Sequence, residues 1–196
     1  MMGKSVELLG MACFNVFLGM ILTVSFVSQA TKNGPSLLTE ASVSDFVSEM
    51  TNVSWGKKAD MDQYGITTWF MDHIVDSGTF TNTINISQPN GEDSQQVLEM
   101  DRMKYISQVL QEMKAVQNHH GQLNIEYVKI DEGGRSASVV FTSLERGDMP
   151  VASEGTEYTI PVTGMSYCEQ KIILQGKLMK VVNGTCTTNV TLTESF

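Results

Sequence analysis

Residues 96–116 read QVLEMDRMKYISQVLQEMKAV. Met103, Ile106, Val109, Leu110, Met113 and Val116 recur there at steps of three and four, with Leu98 five residues before them, the spacing that gathers side chains on one side of an α-helix. Asn118 and Gly121 supply stop signals beyond it. The spacing predicts one long amphipathic helix from about Gln96 to Val116, and the period on either side of it decides what that helix packs against.

Upstream, Thr79 to Ile86 (TFTNTINI) is rich in β-branched residues, with Phe80, Ile84 and Ile86 at even positions, and Gln88-Pro89-Asn90-Gly91 closes it with turn chemistry. That pattern is a strand. Further back, Ser42 or Ser44 can cap a helix carrying Val43, Phe46, Val47 and Met50, and a second helix from about Asp60 to Asp76 groups Met61, Tyr64, Ile66, Trp69, Phe70, His73 and Ile74. A turn at Trp55-Gly56 joins the two.

Downstream the period is two. Leu123, Ile125 and Tyr127 alternate, Asp131-Glu132-Gly133-Gly134 turns the chain, and Ala137, Val139 and Phe141 alternate on the return, which predicts a hairpin. A polar loop is expected from Glu145 to Glu154. Two more β-rich runs come after it, about Glu157 to Leu174 and Leu178 to Leu192, with Pro161 and Gly164 expected to bend or bulge the first. Cys168 and Cys186 flank the turn Gln175-Gly176-Lys177, so a hairpin centred there sets them nearly opposite each other. A disulfide is expected, the alternative being two unrelated buried thiols.

The stretch from Leu8 to Val27 carries no charge and suits either the centre of a signal peptide or a single membrane-spanning helix. Ser28-Gln29-Ala30 offers a cleavage site before Thr31. Cys13 precedes most of the apolar run, an order that argues against lipid attachment. Both readings export the rest of the chain: residues 31–41 as a linker (TKNGPSLLTEA) and 42–196 as one α+β domain, periplasmic or secreted, or held outside the inner membrane by the anchor.

The sequence carries 13 basic and 22 acidic side chains, for a formal charge of −9. Such a chain repels polyphosphates, which argues against a nucleic-acid partner.

Two helices, a strand, a long helix and four strands resemble the nuclear-transport-factor-2-like superfamily, with its SnoaL-like and ketosteroid-isomerase-like domains, over roughly residues 43–192. The echoes lie in Met71-Asp72-His73-Ile74-Val75-Asp76 before the strand at Phe80, in Tyr105-Ile106, and in the hairpin at Gly133-Gly134. The resemblance implies a cystatin-type cone, a curved antiparallel sheet wrapped around the long helix, with a pocket at its open end. Homodimerisation through the outer sheet face is a further implication. The same cone serves isomerases, dehydratases, binding domains and assembly factors, so it implies no single activity.

The pocket candidates are Tyr64, Trp69, Asp72, His73, Tyr105 and Tyr127, facing a small apolar ligand or a protein partner. No residue matches the family's catalytic roles by motif, and no cofactor is indicated. On a helix Asp72 and Asp76 share a face while His73 points away, so the acid–base reading competes with capping and a core-edge histidine. His119-His120 near Asp131 or Glu132 lacks a third metal ligand at a usable spacing, and solvated loop histidines are expected. Gly133-Gly134 is a turn, not a phosphate cradle. The 13 methionines are expected mainly to fill core. The Asn-x-Ser/Thr triplets at Asn52, Asn85, Asn183 and Asn189 fall in a Thr-rich surface. The leading functional expectation is a non-catalytic binding or interaction domain; the alternatives are a tethered component of a secretion assembly and a small isomerase- or dehydratase-like enzyme.

Overall fold

The computed structural model describes residues 35–88, 93–153 and 156–193. The export segment expected at 1–30 and the turn residues Pro89, Asn90 and Gly91 lie outside the described residues. No helix among the described residues is long and apolar enough to cross a membrane.

The first helix, α1 (Glu40–Ser54), starts earlier than Ser42. Thr39 is its N-cap: the Ser42 amide donates to Thr39 Oγ1 at 3.1 Å and the Thr39 amide donates to Ser42 Oγ at 3.0 Å, a reciprocal box that satisfies two free donors. Leu38, expected in the linker, belongs to the core, and its amide donates to the Gly134 carbonyl at 2.8 Å. Gly56, with φ of +67°, turns the chain beyond α1.

Helix α2 (Gln63–His73) ends three residues before Asp76, because β-branched Ile74 and Val75 already belong to β1 (Ile74–Ser87). Asp76 therefore shares no helix face with Asp72. It accepts from Arg102 Nη1 at 2.7 Å, and the same nitrogen donates to the carbonyls of Met71 and Ile74, which ties the α2–β1 junction together.

The long helix is the main correction. Residues 94–101 form β2 (Ser94–Asp101), and only then does α3 (Arg102–Ala115) begin. Leu98 belongs to the apolar set expected on the helix, yet it alternates with Met100 as on a strand, and pairing with β1, from Asp101 opposite Thr79 to Ser94 opposite Ile86, selects the strand. Asp101 ends it by accepting the Lys104 amide at 2.8 Å, as an N-cap.

The remaining strands are β3 (Gln117–Ile130), β4 (Ser136–Ser153), β5 (Thr156–Gln175) and β6 (Leu178–Leu192). Residues 145–153 of the expected loop are instead the far half of β4, paired with β5 through Ser153 opposite Thr156. β5 runs through Pro161 and Gly164 without a register shift. Pro161 precedes the first β5–β6 pair, Val162 with Leu192, so its missing N–H removes no bond on that side. The shift in that ladder falls at Lys171/Ile172.

The sheet order is β2-β1-β6-β5-β4-β3, curved and unclosed. Its pairs are antiparallel except β1 with β6, which are parallel because the chain returns to the middle of the sheet only after α3 and the meander. Val43, Phe70, Ile74, Val139, Ile172 and Val181 are fully buried where the helices close over one end of the concave face. The other end of that face stays open.

Candidate functional site

Stripes from two helices and three central strands converge on the open end, joined there by residues of β1, β2 and β3. On α1 the stripe is Val47, Met50, Thr51 and Ser54; on α3 it is Tyr105, Gln108, Val109, Glu112 and Met113, both at helical three- and four-residue steps. On the strands every second residue turns inward: Phe141, Ser143 and Glu145 from β4; Val162, Gly164, Ser166, Cys168 and Gln170 from β5; Gly184, Cys186, Thr188 and Val190 from β6. They enclose a cavity of about 350 Å³, within the range of small-molecule sites.

The Cys168–Cys186 disulfide lies across the cavity floor. The two residues are direct partners in the β5–β6 ladder.

One end of the cavity is aromatic. Phe80 stacks on Tyr105 with ring centres 4.1 Å apart, and Phe70 meets Tyr105 edge-on at 5.8 Å. Burial pushes the Tyr105 phenol well above its ordinary range, and the nearby charges of Glu112 and Glu145 push it further. Tyr105 is therefore a neutral hydroxyl at any physiological pH.

The other end carries acid and imidazole. His119 Nε2 lies 3.0 Å from Glu145 Oε2, and Ser143 Oγ donates to Glu145 Oε1 at 3.2 Å. Trp55 packs 5.6 Å from the His119 ring and lies flat over Gly121, where an added Cβ would come within 2.7 Å of the indole. Lys57 sits 4.2 Å above the same indole and donates to the Gly121 carbonyl. Glu112 keeps accessible surface where it lines the cavity, yet the surrounding protein desolvates it. Burial raises its pKa, the Gln108 hydrogen bond partly opposes this, and the Glu145 charge adds to it.

Two side-chain atoms at this cavity are buried without a hydrogen-bond partner, His119 Nδ1 and Gln170 Oε1. Each costs about 1–3 kcal/mol, and such costs concentrate where a protein keeps polar groups for a task other than stability. Among the described residues no group of three or more His, Cys, Asp or Glu side chains is placed to hold a metal ion.

Two helices, a strand pair, a helix and a four-strand meander now close one end of a concave sheet and leave a cavity at the other. The domain has a nuclear-transport-factor-2-like fold. Proteins of known structure to which this chain is similar include one from Kribbella flavida, at 11% identity and TM-score 0.49, over 76% of this chain and 88% of that one. A hexachlorocyclohexane dehydrochlorinase has 10% identity and TM-score 0.47, over 80% and 89%. A nuclear-transport-factor-2-like protein of unknown function from Pseudomonas putida has 12% identity and TM-score 0.44, over 76% and 89%. At these identities the likeness is one of fold. Compared by sequence, the chain matches no family model and no curated protein.

Within the nuclear-transport-factor-2-like cone, the six candidate residues separate. Tyr105 lines the cavity. Tyr64 is 79% exposed on α2, and Tyr127 is 52% exposed on the convex face, turned there by the register shift at Ile125/Tyr127. Asp72 is exposed. Trp69 and His73 stack on each other at 4.2 Å against Phe46, and His73 Nδ1 bonds the Trp69 carbonyl at 2.8 Å, so both support the helix packing outside the cavity wall.

His119 is the residue that sequence reasoning placed wrongly. It is not a solvated loop histidine: β3 begins at Gln117, and alternation along it turns His119 inward and leaves His120 exposed. Glu112, Glu145 and Gln170 were not singled out at all. The signal that could have found Glu112 was its place four residues beyond Gln108 and seven beyond Tyr105.

Proposed function

We propose that this domain binds a small, mostly apolar molecule in the cone's cavity and does so outside the cytoplasm. The observation that carries the reading is the cavity itself: about 350 Å³ of space walled by Val47, Met50, Phe80, Val109 and Met113, with polar groups gathered at a few points. The cross-strand disulfide supports the placement, since such bonds persist in oxidising compartments. Whether the chain is released or held by an anchor at 1–30 belongs to the same proposal.

A second reading, proton transfer on the bound molecule, is favoured by one specific arrangement. His119 is held by Glu145 in a partly enclosed site that also contains the neutral Tyr105 hydroxyl.

Gly164 gives the test. It lines the cavity, and an added Cβ there meets nothing within 4 Å, so a large side chain can fill the space without displacing backbone. Titration of the full chain with the neutral, solvent-sensitive naphthalene dye Prodan should give saturable, blue-shifted emission, and Gly164→Phe should abolish it while leaving far-ultraviolet circular dichroism intact. Equal dye binding by Gly164→Phe would refute the reading.

A further inference from the structure

We infer that the molecule bound here is a ring compound carrying two or more hydroxyl groups along one edge, with its opposite face apolar. This deepens the binding reading proposed above and rests on it.

The inference comes from a row of polar side chains that crosses the concave face at right angles to the strands. Asn82 on β1, Thr188 on β6, Ser166 on β5 and Ser143 on β4 all line the cavity, with Glu145 two residues further along β4 and His119 of β3 bonded to it. Ser166 stands opposite both Thr188 and Ser143 in its two ladders. Neighbouring strands lie about 4.8 Å apart, so these groups repeat at roughly that interval.

The directions of the hydrogen bonds decide what the row can accept. Thr188 Oγ1 donates to Asn82 Oδ1 at 3.1 Å, which uses its proton. Thr188 can then only accept from Ser166 Oγ, 3.0 Å away, which uses the proton of Ser166. On the other side Ser143 Oγ gives its proton to Glu145 Oε1 at 3.2 Å. The donors of the two serines thus point in opposite directions, and both oxygens keep acceptor lone pairs in the middle of the row. Glu112 and Glu145 add carboxylate acceptors on the same cavity.

A molecule that fits such a row must bring donors, and at least two of them spaced across neighbouring strands. Equatorial hydroxyls on alternate ring carbons meet that spacing. Facing the row are Val47 and Met50 of α1 and Val109 and Met113 of α3, with Trp55 at the rim, a surface suited to the apolar face of a saturated ring or to an aromatic substituent. A purely hydrocarbon ligand leaves the serine oxygens desolvated without partners, and a carboxylate ligand meets Glu112 and Glu145.

The test compares two compounds of similar shape on the full chain by isothermal titration calorimetry: phenyl β-D-glucopyranoside and its hydroxyl-free counterpart, cyclohexyl phenyl ether. The glucoside should bind, and Ser166→Ala should weaken it about tenfold, the scale of one or two lost hydrogen bonds. The ether's affinity should change less than about twofold by the same reasoning, since it makes no hydrogen bond to the row. Thr188→Val, which removes the hydroxyl and keeps the shape, should repeat the pattern if Ser166→Ala fails to fold. Equal losses for both compounds, or binding of the ether without the glucoside, would overturn the inference. Binding of Prodan with neither compound overturns it alone and leaves the cavity reading standing; failure of all three ligands overturns both.

Discussion

Breaking the Cys168–Cys186 bridge should weaken the domain by an amount the structure lets one estimate. The cross-link joins residues 18 apart in sequence, part-way along the β5–β6 ladder from its turn at Gly176. Releasing a loop of that length returns about 3 kcal/mol of conformational entropy to the unfolded chain at room temperature. The folded state loses little in exchange, because the β5–β6 ladder continues on both sides of the bridge and Cys168 sits in a packed core. In urea, with a slope of about 2 kcal/mol per molar for a domain of this size, the unfolding midpoint should fall by about 1.5 M. The thermal midpoint should fall by roughly 10 °C. The assay is urea unfolding followed by circular dichroism, with the oxidised chain, the chain in reductant, and Cys168→Ala/Cys186→Ala measured together. The last two should agree with each other and differ from the first. An unmoved midpoint in reductant and in the double variant would refute the reasoning, for the bridge would then constrain nothing that the ladder does not already hold.

Three other outcomes rest on local geometry. Gly147→Ala should cost about 1–3 kcal/mol, because the added Cβ collides with Val116 and comes within 2.8 Å of the Gln117 carbonyl, which β3 holds in place; a urea midpoint equal to the parent's would contradict it. Glu112 has its pKa raised in the folded state, so the folded form binds the extra proton and stability declines as pH rises through the interval above the ordinary glutamate value; Glu112→Gln should be more stable than the parent at neutral pH, with the gap closing in acid, and a constant gap across pH would tell against it. Asp131 is shifted the other way, its carboxylate accepting from the Ser136 backbone amide, the Arg135 amide at 2.9 Å and the Ser136 hydroxyl at 2.9 Å across the β3–β4 turn. Its stabilisation is complete above the ordinary aspartate value and is lost as pH falls through the lowered one, so Asp131→Asn should destabilise near neutrality and converge with the parent in strong acid.

Much of the scaffold was readable because sequence period and tertiary environment agreed. Cys168 and Cys186 face each other as the hairpin midpoint implied, and β6 begins and ends at Leu178 and Leu192. Asp131 to Gly134 make the turn expected of them, with Gly134 at φ of +62°. Legibility failed where apolar spacing served two periods at once. Leu98 reads with the helix that follows, and the presence of β1 alongside makes it strand. It failed too where charge suggested a loop: Glu145, Arg146 and Asp148 lie on a strand because β5 supplies the partner backbone.

The candidate site was less legible than the scaffold for the same reason. A cavity wall is assembled from stripes on different elements, and a single error of register removes a residue from it. Tyr105 survived because its helix was placed correctly over that turn. Tyr127 was misplaced because a register shift after Ile125 turns it to the convex face, and His119 because the start of β3 resembles the end of a helix. Neither error could be detected without knowing which strand lies beside which.

The central claim is that the concave end of the sheet is a ligand chamber, and a crystal structure of the full chain grown with Prodan tests it most directly. Density for the dye between α3 and the β5–β6 floor, in contact with Tyr105, Val109 and Ser166, is the result expected. Dye found only on the convex face beside Tyr127 and Tyr167, with side chains collapsed into the chamber, would contradict the account.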